Sequence, residues 1–486
     1  MISHLLASLN VFERRHFRAG RSALLVLMAG CTSNFPIVKP TVDIEVATGI
    51  GAPIVYHTEA GPVDEPNEMM DQLDLFTAVR LTLENEPRIQ AALSRVRIAE
   101  SESRQTRLLP NPILSVSLRY PESLGKPIID AGLAGDLIAI LQRPRRADAA
   151  DNKLRAASSE AVATVLDLLT IVQEHYVSIQ ASVELSRVLQ GRLQTIDRLL
   201  KIAQARLAVR ETTQLDVATL EAERVVLETE IADQQLEQQE ERLGLSRLMG
   251  QPSGLANWRL TAWASPASVH PIESDWVRAA IQNRPEVQAR RWELAALGDE
   301  LALAKFAIWE GTNVGITSER DGGWSAGPTA NVPLPLFDMG QAKTAKARAA
   351  IEEARHKLLD VQRQVIEDTR RAYTAFTSSQ ANYLRVRDQL LPVQKRRHDL
   401  AEAAYRAGQT DITAFFLAEQ ELREAESKLI TQAKKATTAF IRLQRAAGGP
   451  GVAAKLDSAA GLNPPADTAR PTTGPATRSI DAPANK

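Results

Sequence analysis

Residues able to do chemistry are few in this chain, and they are scattered. His398 and Glu402 stand four residues apart, a helical spacing at which an imidazole and a carboxylate could share a metal ion, and equally the spacing of a solvated surface pair. The neighbouring Lys395, Arg396 and Arg397 fit the solvated face of a helix. His175 adjoins Tyr176 and reads as a packed or flanking residue. The seven histidines form no H-E-x-x-H, and the chain holds no G-x-x-x-x-G-K-[ST] or G-x-G-x-x-G. The run "DQQLEQQEER" from Asp233 to Arg242 is a polar helix face rather than an acid/base pair. A single cysteine, Cys31, leaves no partner for a disulfide, a zinc site or a redox pair. No catalytic set and no metal site is expected. The formal charge of -1 supplies no basic field for nucleic acid.

Cys31 carries chemistry of another kind. Arg14, Arg15, Arg18 and Arg21 precede the short apolar run Ala23 to Gly30, and small residues lead into the cysteine, the order of a secretory signal. The segment "LMAGC" resembles the lipobox of bacterial lipoproteins, with Met28 where an aliphatic residue is usual. That resemblance implies a signal peptide over 1–30, a covalent lipid such as palmitate on Cys31 and, with Thr32 next, sorting to the outer membrane. An ordinary signal peptide followed by a chance cysteine is the other reading. Apart from that lipid, no cofactor is expected.

The elements that would position anything else are long helices. Aromatics are only 5% of the chain, while Ala, Leu, Glu, Gln and Arg abound, as in coiled coils. No run approaches the roughly 18 to 20 consecutive apolar residues of a spanning helix. Val162, Val165, Leu169, Val172, Tyr176, Ile179 and Val183 alternate spacings of 3 and 4, and Leu189, Leu193, Ile196, Leu200, Ala203 and Leu207 resume after a slip read as a three-residue stammer. Asp148 to Val209 predicts a rod of roughly 90 Å. Ile351, Ala354, Leu358, Val361 and Val365 repeat the pattern in the second half, where Pro392 is expected to kink or break the rod.

An internal repeat organises the chain. "ENEPRIQAA" from Glu84 matches "QNRPEVQAR" from Gln282, and the same offset of 198 pairs Val116 with Val314, Glu221 with Glu419 and Gly250 with Gly448. The expected divisions are a tether over 31–70, a first repeat over 71–250, a linker over 251–275 holding Trp258 and Trp263, a second repeat over 276–448 and a disordered, proline-rich tail over 449–486.

Each repeat interrupts its helices with an alternating segment. Leu114, Val116, Leu118 and Tyr120 fall opposite Ser115, Ser117 and Arg119, and Val314 and Ile316 alternate with Asn313, Gly315 and Thr317. Return strands are expected in "LAGDLIAILQRP" (Leu133 to Pro144) and, after the turn "DGGWSAG", in "PTANVPLPLF" (Pro328 to Phe337). Such strands suit a transmembrane β-barrel, and a soluble hairpin packed on helices would read alike. Export and the long rods favour the barrel. Four strands cannot close one, so protomers would have to pool their strands.

"LLPNP" before the first hairpin, "VPLPLFDMGQAKTAKARA" after the second and "AAYRAGQTDITAFFLAEQEL" at the last return resemble the outer-membrane efflux protein family whose namesake is TolC, over roughly Leu73 to Gly448. The resemblance implies a fold that is mainly α with a small β part, in which duplicated coiled-coil helices and two β-hairpins build an α-barrel tunnel and a 12-stranded transmembrane β-barrel as a homotrimer. It implies a passive duct, not an enzyme, that docks with a periplasmic adaptor protein and an inner-membrane pump of the resistance-nodulation-division type. Leu114, Val116, Leu118, Tyr120, Val314 and Ile316 would then meet lipid, and Ser115, Ser117 and Arg119 the lumen. Tyr405 matches a tyrosine of the family's periplasmic gate, whereas two gate aspartates align with Ala414 and Leu417. Asp216 and Asp411 lie nearby, as gate candidates or as helix caps. A periplasmic coiled-coil adaptor or structural lipoprotein is the alternative, and it leaves the two hairpins without a purpose.

Overall fold

The computed structural model describes residues 40–49, 56–59, 61, 71–120, 127–263, 266, 272–321, 323–407, 409–410 and 412–459. The leader, Cys31 and Asp411 lie outside the described residues. In chain order the elements are α1 (Pro40–Thr48), β1 (Gln72–Leu73), α2 (Leu75–Asn85), α3 (Pro87–Thr106), β2 (Ile113–Arg119), β3 (Ile128–Asp136), α4 (Leu137–Ala208), α5 (Gln214–Leu248) and β4 (Arg259–Leu260). Then follow α6 (Glu273–Asn283), α7 (Pro285–Phe306), β5 (Asn313–Asp321), β6 (Gly323–Asn331), α8 (Gln341–Arg385), α9 (Leu391–Arg406), α10 (Ile412–Ala447) and α11 (Pro450–Ala459).

The repeat is visible in how each half begins. Pro87 and Pro285 open α3 and α7, positions where a missing N–H is harmless. Each holds the residue before it, Glu86 at ψ 116° and Arg284 at ψ 126°, out of the helical region. Gly250 and Gly448, also 198 apart, both take positive φ (87° and 111°) after the last helix of their repeats.

The rods exceed the expectation. Asp136 caps α4 by accepting from the Ala139 amide at 2.8 Å, so the helix begins at Leu137 rather than near Asp148 and runs 72 residues, about 108 Å. Pro144 rides inside it, forfeiting one ladder bond. The expected strand Leu133 to Pro144 is therefore divided: β3 stops at Asp136 and the remainder is helix. Likewise β5 and β6 pair down to Asp321 and Gly323, so most of the expected glycine-rich turn is strand, and Val332 to Phe337 is not. Near Pro392 the helix does not break, because a π-helical stretch, Val386–Leu390, widens the ladder and leads into α9 with the proline in its first turn.

Packing concentrates where α4 is sheathed all round. Tyr176 to Ser182 are consecutively buried, just before the place where the heptads slip. The Tyr176 hydroxyl donates to the Leu73 carbonyl at 3.1 Å and meets the Thr261 hydroxyl at 2.7 Å, and Gln180 Nε2 donates to the Thr261 carbonyl at 2.9 Å. These bonds fasten the parallel pair β1–β4, and with it the inter-repeat linker, to the rod. The core there gathers Ile44, Leu83, Ile89, Leu166, Leu248 and Trp258. One 18-residue window of α4 has the length and mean hydropathy of a membrane-crossing helix without being a continuous apolar run, and half of it is buried within the fold.

Both supposed loose ends contribute to this packing. Within the expected tether, α1 is a helix whose Ile44 is fully buried, and Ser158 of α4 donates to Asp43 at 3.3 Å. Within the expected tail, α11 buries Ala453 against Trp276 and Phe376. Short apolar faces docked on a large core need no long periodic signal of their own.

Two substitutions probe this frame. A Cβ on Gly315 would meet the Leu133 carbonyl oxygen at 2.1 Å and the Ala134 Cα at 2.7 Å, whereas one on Gly327 meets open space. Gly315→Val is expected to lower unfolding stability by roughly 1–3 kcal/mol, and Gly327→Ala to leave it near wild type, by chemical denaturation in detergent. Glu286 accepts from Arg445 at 2.5 Å beside Arg284; burial pushes its carboxyl up, but the two guanidinium groups prevail and hold it below the usual range. Its contribution is therefore full above the ordinary carboxylate value and is lost as pH falls through the lowered one. Glu286→Gln should cost roughly 1–3 kcal/mol at neutral pH, with the gap to wild type closing in strong acid.

Candidate functional site

The sheet has the order β2-β3-β5-β6 with every pairing antiparallel, so β3 and β5 join the hairpins of the two repeats, while β2 and β6 are free edges. Residues directly opposed in such a ladder point to the same face. Reading across, Leu114, Leu133, Ile316 and Pro328 form one row, and Val116, Ala131, Ser318 and Ala326 the next. Leu118, Ile129, Arg320 and Trp324 form a third row. Val314 lies opposite Gly135 and Ala330 on that same face. The other face carries Ser115 with Gly132 and Thr317, and Ser117 with Asp130 and Glu319.

Alternation in β2 and β5 thus becomes one apolar and one polar side of a single sheet. The apolar side is uncovered: Leu114 is 69% exposed, Val116 61%, Leu118 56%, Ile316 64% and Val314 45%, and Tyr120 just beyond β2 is 76% exposed. Among the described residues no helix packs on it. A second exposed apolar band lies where sheet meets rods, at Leu137, Leu141, Leu334, Leu336 and Phe337. On the polar side Arg119 reaches the Asp130 carboxylate at 2.5 Å and Glu319 at 3.7 Å, Ser117 donates to Asp130 at 3.2 Å, and Ser115 to the Gly132 carbonyl at 3.3 Å. Asp130 and Glu319 escaped the sequence reading because only the inter-strand register places them beside Arg119.

At the far end of the rods the gate candidates separate. The Tyr405 ring stacks on Phe415 at 5.7 Å, and Arg206 of α4 donates to its hydroxyl at 3.3 Å, so Tyr405 ties α9 to the first repeat. Asp216 serves in a capping box: its amide donates to the Thr213 hydroxyl at 3.2 Å, and its carboxylate accepts from the Thr213 amide at 3.0 Å. The Thr213 hydroxyl and amide, with Thr212, hold that carboxyl below its usual value. Ala414 and Leu417 sit in the first turns of α10, and Leu417 is 47% exposed.

The two histidines have structural partners. His175 Nδ1 meets Glu241 at 2.5 Å. His398 Nε2 meets not Glu402 but the buried Glu419, at 2.8 Å, while Glu402 pairs with Arg406. Glu419 also accepts from Arg423 at 3.0 Å and from Thr195 at 3.4 Å. Among the described residues no group of His, Cys, Asp and Glu could hold a metal ion.

Comparison with known proteins agrees with this geometry. Residues 276–449 match the family described as "Outer membrane efflux protein", a span that coincides with the second repeat. The cobalt-zinc-cadmium resistance protein CzcC of Cupriavidus metallidurans is 21% identical over 392 residues, covering 78% of this chain and 91% of that one. The pyoverdine export outer membrane protein OpmQ of Pseudomonas aeruginosa is 22% identical over 317 residues, covering 61% of this chain and 64% of that one. The crystal structure of the outer membrane protein VceC from Vibrio cholerae superposes with a TM-score of 0.64 at 18% identity, covering 77% of this chain and 96% of that one. Its second repeat thus matches the outer membrane efflux protein family in sequence, and its two-faced sheet and duplicated rods share the fold of solved outer-membrane channels.

Proposed function

We propose that three copies of this chain form a passive duct across the outer membrane, each lending four strands to a 12-stranded barrel and its rods to a periplasmic tunnel. One observation carries this reading: a sheet with an uncovered apolar face, a polar face and two free edges. In hydrocarbon each unpaired edge group costs several kcal/mol, and single-chain barrels start at about eight strands. Closure through copies of the chain pairs β6 of one protomer with β2 of the next. Leu114, Val116, Leu118, Tyr120, Val314 and Ile316 then face lipid, and Ser115, Ser117 and Arg119 line the lumen.

The far end of the rods docks with a periplasmic adaptor protein and an inner-membrane pump of the resistance-nodulation-division type, which supplies the energy. Tyr405, held by Arg206 and Phe415, is a contact of the closed periplasmic end, whereas Asp216 caps the first return. A lipid on Cys31 anchors the N-terminus. A polar tunnel selects little, so cargo belongs to the pump. Cobalt, zinc and cadmium in the name of CzcC and pyoverdine in that of OpmQ span very different chemistries.

The deciding experiment is single-channel conductance of the detergent-purified full chain in a planar bilayer, with its mass measured in parallel. Trimers giving reproducible pores are expected, and a monomer that does not enter bilayers would refute the duct. Depth dependence supplies a second test. Val116→Asp should impair insertion by about 2–4 kcal/mol if the site lies near mid-membrane, while Ser117→Asp is tolerated, as read from the folded, membrane-extracted fraction.

A further inference from the structure

We propose that Arg320 binds the phosphate of an anionic outer-leaflet lipid at the outer rim of the sheet, an inference that rests on the membrane-spanning reading above. Register places Arg320 in one row with Leu118, Ile129 and Trp324, hence on the apolar side. Among the described residues of the four strands it is the one charged side chain on that side. The row lies at the hairpin end, six residues along β5 from Val314, about 20 Å, and so away from the rods.

Its surroundings differ from those of the arginine on the opposite side. Arg119 is neutralised by Asp130 and Glu319. Arg320 is exposed, and its recorded contact among the described residues is the Trp324 ring, with the guanidinium carbon 5.7 Å from the ring centroid. Trp324 is 68% exposed, and Tyr120 lies one step beyond the same row of β2. Two amphipathic rings at one end of an apolar surface mark the depth at which hydrocarbon gives way to headgroups.

Charge and depth together select the ligand. An arginine facing lipid costs about 2–4 kcal/mol at the midplane and about 0–1 near an interface, so the rim is where Arg320 is tolerated. Tolerance alone would be met by any polar residue. A guanidinium with no carboxylate partner among the described residues adds planar paired donors that fit phosphate, and at this depth the phosphates available are those of lipid headgroups. Trp324 shields one side from water and strengthens the pairing.

The test uses full-chain protein in phosphatidylcholine nanodiscs, titrated with bisphosphorylated lipid A and followed by the heat-dissociation midpoint of the oligomer. Wild type should gain several degrees with lipid A, but none with its dephosphorylated form or with inorganic phosphate in the buffer. Arg320→Ala should weaken the lipid A response about tenfold or more and leave the midpoint in pure phosphatidylcholine unchanged. Arg320→Lys should retain part of it. An undiminished response in Arg320→Ala, or none in wild type, overturns the proposal while leaving the duct intact. A wild-type response to inorganic phosphate alone would also overturn it, since the site would then bind a free anion. Failure of wild type to enter nanodiscs removes the duct itself, and this inference with it.

Discussion

A β-strand leaves its outward N–H and C=O groups unpaired at the edge of a sheet, and the rest of this molecule is arranged around that fact. Both repeats spend one hairpin on a common sheet, and the β3–β5 ladder joins them through eight opposed pairs from Ile129–Arg320 to Asp136–Asn313. Gly315 lets the backbones approach where a side chain would collide with the Leu133 carbonyl. What remains open is one edge from each repeat, β2 and β6. Because β3 passes into α4 without a loop, with Asp136 ending the strand and capping the helix, the direction of the sheet fixes that of the longest rod. Closure of the sheet between protomers, as proposed, therefore also aligns rods into a tunnel wall.

Duplication supplies the rods in matched pairs, yet the copies are used differently. Ala78 and Trp276 occupy equivalent positions and both are buried, so one core takes a methyl group there, among apolar side chains, and the other an indole against Phe376 and Leu443. Glu221 is exposed and its equivalent Glu419 is buried among Arg423, His398 and Thr195. A buried carboxylate so surrounded is costly to strip of its partners. The first return instead relies on a solvent-exposed capping box at Thr213 and Asp216.

Much of this was legible because it rests on periodicity. Heptads predicted Val162, Val165, Leu169, Val172, Tyr176 and Ile179 as buried, and they are; strict alternation separated Leu114, Val116 and Leu118 from Ser115 and Ser117, as the register does. What escaped depended on partners distant in sequence. Helix α4 begins eleven residues before Asp148 because the Asp136 carboxylate caps it and Leu137 to Pro144, expected as strand, forms its first turns. His398 was paired with Glu402 by helical spacing, whereas Glu419 approaches from another helix. The α1 and α11 helices were read as loose because each is short and becomes helical on a surface that others provide.

An enzyme must hold several groups near one point, whereas a conduit needs a wall whose two sides differ. Here that difference is built into single strands by a period of two, so Val116 and Ser117 fall on opposite sides of the sheet at one backbone position's remove. The same period makes an exception informative. Arg320 falls on the apolar side in a sequence that elsewhere on the described strands keeps charge on the polar one, and it does so only in the last row before the hairpin turn. A charge placed there by neglect would be indifferent to depth; one placed at the rim beside Trp324 sits where headgroup phosphate, rather than hydrocarbon, is its neighbour.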